Sequence, residues 1–150
     1  MTYDSKQDTA SHIVRVQELM ADVCERLVRR AELHDVSKLA EPEKSAFDAH
    51  APERNSCVYG SEKYNGHLAA LQVALQHHYA HNAHHPEHYV NGVNGMTLLD
   101  LIEMFCDWKA ASEKHRNGSL DRSLGINRER FHLSEQLTSI FENTQRELEW

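Results

Sequence analysis

The stretch TLLDLIEMFCDWKAASEKH, Thr97 to His115, is apolar around most of its circumference, as the central helix of a small bundle is. Threonine at its start offers an N-terminal cap. Asp100, Glu103 and Asp107 follow at steps of three and four, so three carboxylates leave one face of an otherwise hydrophobic helix. Like charges at that spacing repel, and burying them without partners forces protonation or costs several kcal/mol. Something cationic is expected opposite them.

The flanking sequence carries more helices. Ile13, Val16, Met20, Val23, Leu27 and Ala31 recur at steps of three and four, predicting a helix over about 8–31 with one buried face and His12 on its edge. LHDVSKLAEPEK interrupts that pattern. Asp35 or Ser37 could cap a short helix over about 38–50 with Pro42 in its first turn, and residues 51–61 read as a loop. A third helix is expected from about Glu62, with Tyr64, Leu68, Leu71, Leu75, His78 and Asn82 on one stripe; Pro86 closes off further helix, and NGVNG is turn material. RNGSLDRSLGI reads as a connection. A last helix carries Leu133, Leu137, Ile140, Thr144 and Leu148, with Asn127 as its cap and Arg130 and Phe131 in its opening turns. The expected fold is all-α, a compact bundle of five to six helices in a single domain over residues 1–150.

Composition narrows the function classes. Of 150 residues, 23 are acidic and 16 basic, giving a formal charge of -7 that disfavours nucleic acid and anionic membranes as partners. Neither a signal peptide nor a membrane span is evident, so a cytoplasmic protein is expected. Cys24, Cys57 and Cys106 are widely spaced without a CxxC pair, which argues against a thiolate zinc knot; Cys24 and Cys106 read as buried thiols. A homodimer is compatible with the chain.

The segment HHYAHNAHHPEHYVNG, His77 to Gly92, holds six of the twelve histidines. His34 and Asp35 form an adjacent pair just beyond the first helix, and His12 lies about six turns earlier. Imidazole nitrogen and carboxylate oxygen are the donors that hold divalent transition metals, and a site without cysteine suits hydrolytic or oxidative chemistry better than a structural zinc. His78, His84 and His85 are the candidates from the cluster, with His67 a rival. His77 flanks the site, and His81 and His88 face solvent.

The order His12, then His34 and Asp35, then a late aspartate resembles the HD-domain superfamily of metal-dependent phosphohydrolases. More closely, HDVSK, NAHHPEHY and DLIEMFCDWKAAS look like the blocks of a small uncharacterised HD-like family from bacteria and phages. The resemblance implies an all-helical fold and a metal set of His12, His34, Asp35 and a final aspartate, Asp107 in preference to Asp100. His78 and one of His84 or His85 would be the additional ligands of a two-metal branch. One or two ions of Mn, Zn, Fe, Mg or Co are implied, and Asp100 is an alternative support for a ligand imidazole.

On this reading Glu103 relays protons or supports a ligand, Asp35 and Lys38 serve the reaction, and Lys38, Arg128 and Arg130 meet the phosphate. Lys38 could instead pair with Glu41. Tyr59, Tyr64, Tyr89, Phe105 and Trp108 could stack on a ring, although aromatics at such positions usually fill cores. The expected activity is phosphohydrolysis of a small nucleotide or related phosphorylated metabolite. Two alternatives stay open: an HD-like di-iron oxygenase, and a protein-binding module in which metal only stabilises the fold.

Overall fold

A computed structural model describes residues 4–55, 62, 71–114 and 117–150. Among them the fold is all-α, with six helices and no strand: α1 (Lys6–Leu33), α2 (Glu43–Asn55), α3 (Gln72–His81), α4 (Leu98–Glu113), α5 (Leu120–Phe131) and α6 (Glu135–Glu147). None is long and apolar enough to cross a membrane. The chain divides into two units, Met1–His34 and Asp35–Trp150.

The first unit is essentially α1, an unbroken helix of 28 residues. Its flanks carry exposed ion pairs one turn apart, Arg15 with Glu18, Arg26 with Asp22 and Arg29 with Glu25. Taken by itself α1 buries none of its residues, the expected stripe included; Ile13 and Met20 are 51% and 62% exposed. Helical periodicity specifies an amphipathic helix without specifying what covers it. The unbroken helix also corrects the placing of His12. His34 is the residue that ends α1, so His12 lies about 33 Å of helical rise away from it, and one ion cannot reach both.

Every buried apolar residue among those described belongs to the second unit. Its core comprises Met104, Phe105 and Trp108 of α4, Leu120 and Leu124 of α5, Leu133, and Phe141 of α6. Phe105 stacks on Phe141 at 4.9 Å between centroids, and Trp108 lies parallel to Phe131 at 6.2 Å. Phe105 and Trp108 are therefore core residues. Thr97 caps α4 as expected: its hydroxyl accepts from the Asp100 amide, and the Asp100 carboxylate accepts from the Thr97 amide.

Several boundaries differ from expectation. Val36–Leu39 forms a 3-10 turn, Pro42 precedes α2 instead of sitting in its first turn, and residues 51–55 continue α2 where a loop was expected. RNGSLDRSLGI is largely α5. Ser119 caps it by accepting from the Arg122 amide, Leu120 and Leu124 are buried, and Gly125 lies inside the helix, where it had suggested a turn. Asn127 is correspondingly a buried member of α5 and not a cap. His132 adopts a left-handed conformation (φ 51°) that closes α5, and Ser134 caps α6. Tyr59, Tyr64, Cys57 and His67 lie outside the described residues.

Truncating the aromatic centre tests this packing. Phe141→Ala should destabilise the protein by about 3–5 kcal/mol in denaturant melts; a loss below about 1 kcal/mol would contradict a core centred on that ring.

Candidate metal centre

Three short segments of the second unit deliver the site. Asp35 begins it in a left-handed backbone conformation (φ 59°), which costs most residues about 1–2 kcal/mol and which aspartate tolerates better than most. His78 comes from the last turn of α3, and that helix stops at His81 with Asn82 already extended. His84 and His85 follow in the connection to the 3-10 turn Pro86–His88. His85 takes the extended backbone that a following proline imposes (φ -99°, ψ 130°). Pro86 thus fixes the direction in which the second histidine pair leaves the chain.

These side chains converge. His78 Nε2 lies 2.8 Å from His85 Nε2 and 3.3 Å from Asp35 Oδ1, while His84 Nε2 lies 3.6 Å from the same oxygen. One ligand atom from each of Asp35, His78, His84 and His85 falls within 4.8 Å of the others. His78 and His84 are both 1% exposed. A ball of three imidazole nitrogens and a carboxylate oxygen that small is of the size a first coordination sphere requires.

The histidines are backed by carboxylates on their far sides. His84 Nδ1 is 3.0 Å from Glu103 Oε1, and His78 Nδ1 is 2.9 Å from Glu43 Oε2. Glu43 is fully buried at the start of α2. Burial alone would push its carboxyl up, but hydrogen bonds from His77 and Ser37, with the charge and hydrogen bond of His78, hold it below the usual range. For His85, burial pushes the imidazole down to about 3, and neighbouring His84 and His78 add to the fall against a weaker pull upward from Asp107. A ring kept unprotonated is the form a metal takes.

The three acids of α4 part company. Asp100, 2% exposed, is spent on structure: one oxygen accepts from the Thr97 amide and hydroxyl and from the Tyr89 hydroxyl at 2.7–2.8 Å. Gly95 lets Tyr89 lie down there, since a Cβ on it would come within 2.8 Å of the tyrosine Cβ. Tyr89 is accordingly a structural donor, not a stacking platform. Glu103 holds His84, and Asp107 brings a carboxylate oxygen within 4.8 Å of one from Asp35. Of the two aspartates weighed as the late acid, Asp107 is the one that lies beside Asp35.

The remaining candidates divide. His34 ends the first unit, half-buried and one peptide bond before Asp35. Lys38 pairs with Asp35 Oδ2, not with Glu41, which accepts from Ser45 instead. Arg128 and Arg130 sit in the last turn of α5, not at the start of the final helix; Arg128 is exposed and Arg130 bridges to Glu87 at 2.6 Å. His77 braces Glu43 Oε1 at 2.7 Å, and exposed His81 and His88 bond to backbone carbonyls. Cys24 and Cys106 are exposed, correcting the buried thiols; partial burial, then Glu103 and Asp107, still push the Cys106 thiol up.

Glu43 is the residue that sequence reasoning missed. It differs from Glu41 only by lying after Pro42, inside the first turn of a helix, where acids are common for reasons unrelated to a site.

The chain belongs to a family of unknown function, DUF5662, whose profile matches residues 1–147. No curated protein and no solved structure shows a significant match to it.

The His85 environment gives a pH dependence. Between the ordinary imidazole value of 6.5 and about 3, the unfolded chain takes up a proton at His85 that the folded chain refuses. Its contribution to stability is therefore full above pH 6.5 and drains away as pH falls through that window. In metal-free protein, Tm of His85→Asn should fall less steeply from pH 6.5 to 4 than that of the native chain; equal slopes would contradict this burial.

Proposed function

We propose that Asp35, His78, His84 and His85 hold a divalent metal ion, and that the protein is a metal-dependent phosphohydrolase acting on a small nucleotide or related phosphorylated metabolite. The observation that carries this reading is the meeting of three imidazole nitrogens and the Asp35 oxygen. The donor set fits the ion: nitrogen and oxygen without sulfur suits zinc, manganese, iron or cobalt in a catalytic role better than structural zinc. His34, one peptide bond before Asp35, is carried in this reading as the first member of the HD doublet, and the likeness of HDVSK to that motif supports it.

Each residue then has a task. Asp35 and the three histidines bind the ion, while Glu103 and Glu43 hold His84 and His78 in orientation. Lys38 lies against the other oxygen of Asp35 and would give a phosphate a positive point charge in an acidic chain. Asp107 stands close enough to Asp35 to take part in a second position. A bound divalent ion would supply the charge that acidifies a water and neutralises a phosphoryl oxygen in hydrolysis. His12 has no part in this reading, and Arg130 is committed to Glu87.

The position of Asp35 between the histidines and Asp107 also favours a two-ion occupancy, with which an iron-dependent oxygenase would be compatible. The two chemistries separate on the protein purified without a histidine tag: iron with a visible absorption band supports oxygen activation, whereas nucleoside monophosphate hydrolysis restored by manganese, zinc or cobalt supports the phosphohydrolase. Asp35→Asn and His84→Ala, if folded, should lose the activity by at least about 100-fold. Activity retained in both would exclude the site.

Asp100 and Asp107 give a paired control. Asp100→Ala should lower stability by about 1–2 kcal/mol through its lost cap while leaving metal content unchanged. Asp107→Asn should do the reverse. Metal loss on removing Asp100 but not Asp107 would invert the assignment.

A further inference from the structure

We propose that Glu43 is a positioning residue for this centre: it fixes which nitrogen of His78 carries the hydrogen, and so presents Nε2 to the ion. The inference rests on the metal reading above and extends it to a residue outside the ligand set.

Asn82 is buried, and its amide nitrogen lies 2.8 Å from Ser37 Oγ and 2.8 Å from the backbone carbonyl of His78, which uses both amide hydrogens. Ser37, accepting from Asn82, donates its own hydrogen to Glu43 Oε2 at 3.1 Å. Both groups also approach His78 Nδ1, at 3.0 Å and 3.3 Å, yet neither has a hydrogen left for it. What remains for Nδ1 is to donate to Glu43 Oε2, 2.9 Å away. A hydrogen on Nδ1 leaves the lone pair on Nε2, the atom that faces Asp35 and His85.

The second oxygen of Glu43 is held too. His77 Nδ1 meets Oε1 at 2.7 Å, so neighbouring histidines of one helix grip both ends of one carboxylate. A buried carboxylate is a costly way to fill a core position, where an apolar side chain is often neutral or better for stability. Its value here is directional. Glu103 behind His84 repeats the arrangement from α4, so the two most buried histidines of the centre are each set from behind by an acid on a different helix.

Glu43→Gln tests the proposal. Glutamine keeps the shape but offers an amide that can donate to His78 Nδ1, turning the ring hydrogen toward Nε2 and the site. Metal-free full-length protein is titrated with Co2+ by calorimetry, and the His78 tautomer is read from long-range 15N–1H correlations. The native chain should carry the hydrogen on Nδ1. The variant should show it moved to Nε2 and bind Co2+ about 10–100-fold more weakly at unchanged helical content. An Nε2 hydrogen in the native chain overturns the positioning role and needs no variant to fold. Native-like Co2+ affinity in a folded Glu43→Gln overturns it while the metal reading stands. A native chain that takes up no Co2+ overturns both.

Discussion

Asp35 Oδ1 stands 3.3 Å from His78 Nε2 and 3.6 Å from His84 Nε2, in surroundings that leave those two rings almost no contact with solvent. Crowding nitrogen and oxygen donors in this way is unfavourable unless something fixes each one and something positive joins them. The neighbouring structure does the fixing. Glu43 and Glu103 hold the outer nitrogens of His78 and His84, Lys38 takes the outer oxygen of Asp35, and Pro86 sets the backbone of His85. A divalent cation would do the joining.

The helices matter to the site mainly as brackets. Packing of α4 against α5 and α6 through Phe105, Trp108 and Phe141 gives α4 a buried face, and that anchoring sets the stretch from which Glu103 and Asp107 project. Asp100 ties the N-terminus of α4 to Tyr89, in the same connection that carries His84 and His85. On the opposite flank Ser37, Asn82 and Glu43 knit the 3-10 turn, α3 and α2 into one hydrogen-bonded cluster. Two kinds of cohesion, an apolar core and a polar network, therefore meet at the histidines.

Helix type was legible in the sequence wherever the apolar period was long. The α4 segment and its threonine cap read correctly because capping and periodicity agree there. Misreadings fell where two local signals conflicted: Gly125 suggested a turn within α5, yet burial of Leu120 and Leu124 and the Ser119 cap outweigh one glycine. Among the candidates, Asp35, the histidine cluster and Asp107 drew notice in the sequence because their residue types are unusual at such density. His12 was misplaced because ligand order along a chain says nothing of the distance a continuous helix imposes. Glu43 was invisible because a glutamate near a helix start is ordinary, and only its partners 34 and 35 residues later distinguish it.

Asp35, His78, His84 and His85 would share one ion, and X-ray absorption at the metal edge of the cobalt- or zinc-loaded protein reads that directly. Nitrogen and oxygen scatterers at about 2.0–2.1 Å, with the multiple-scattering pattern of three imidazoles, are predicted. A shell of sulfur near 2.3 Å, or oxygen neighbours without imidazole, would contradict the account.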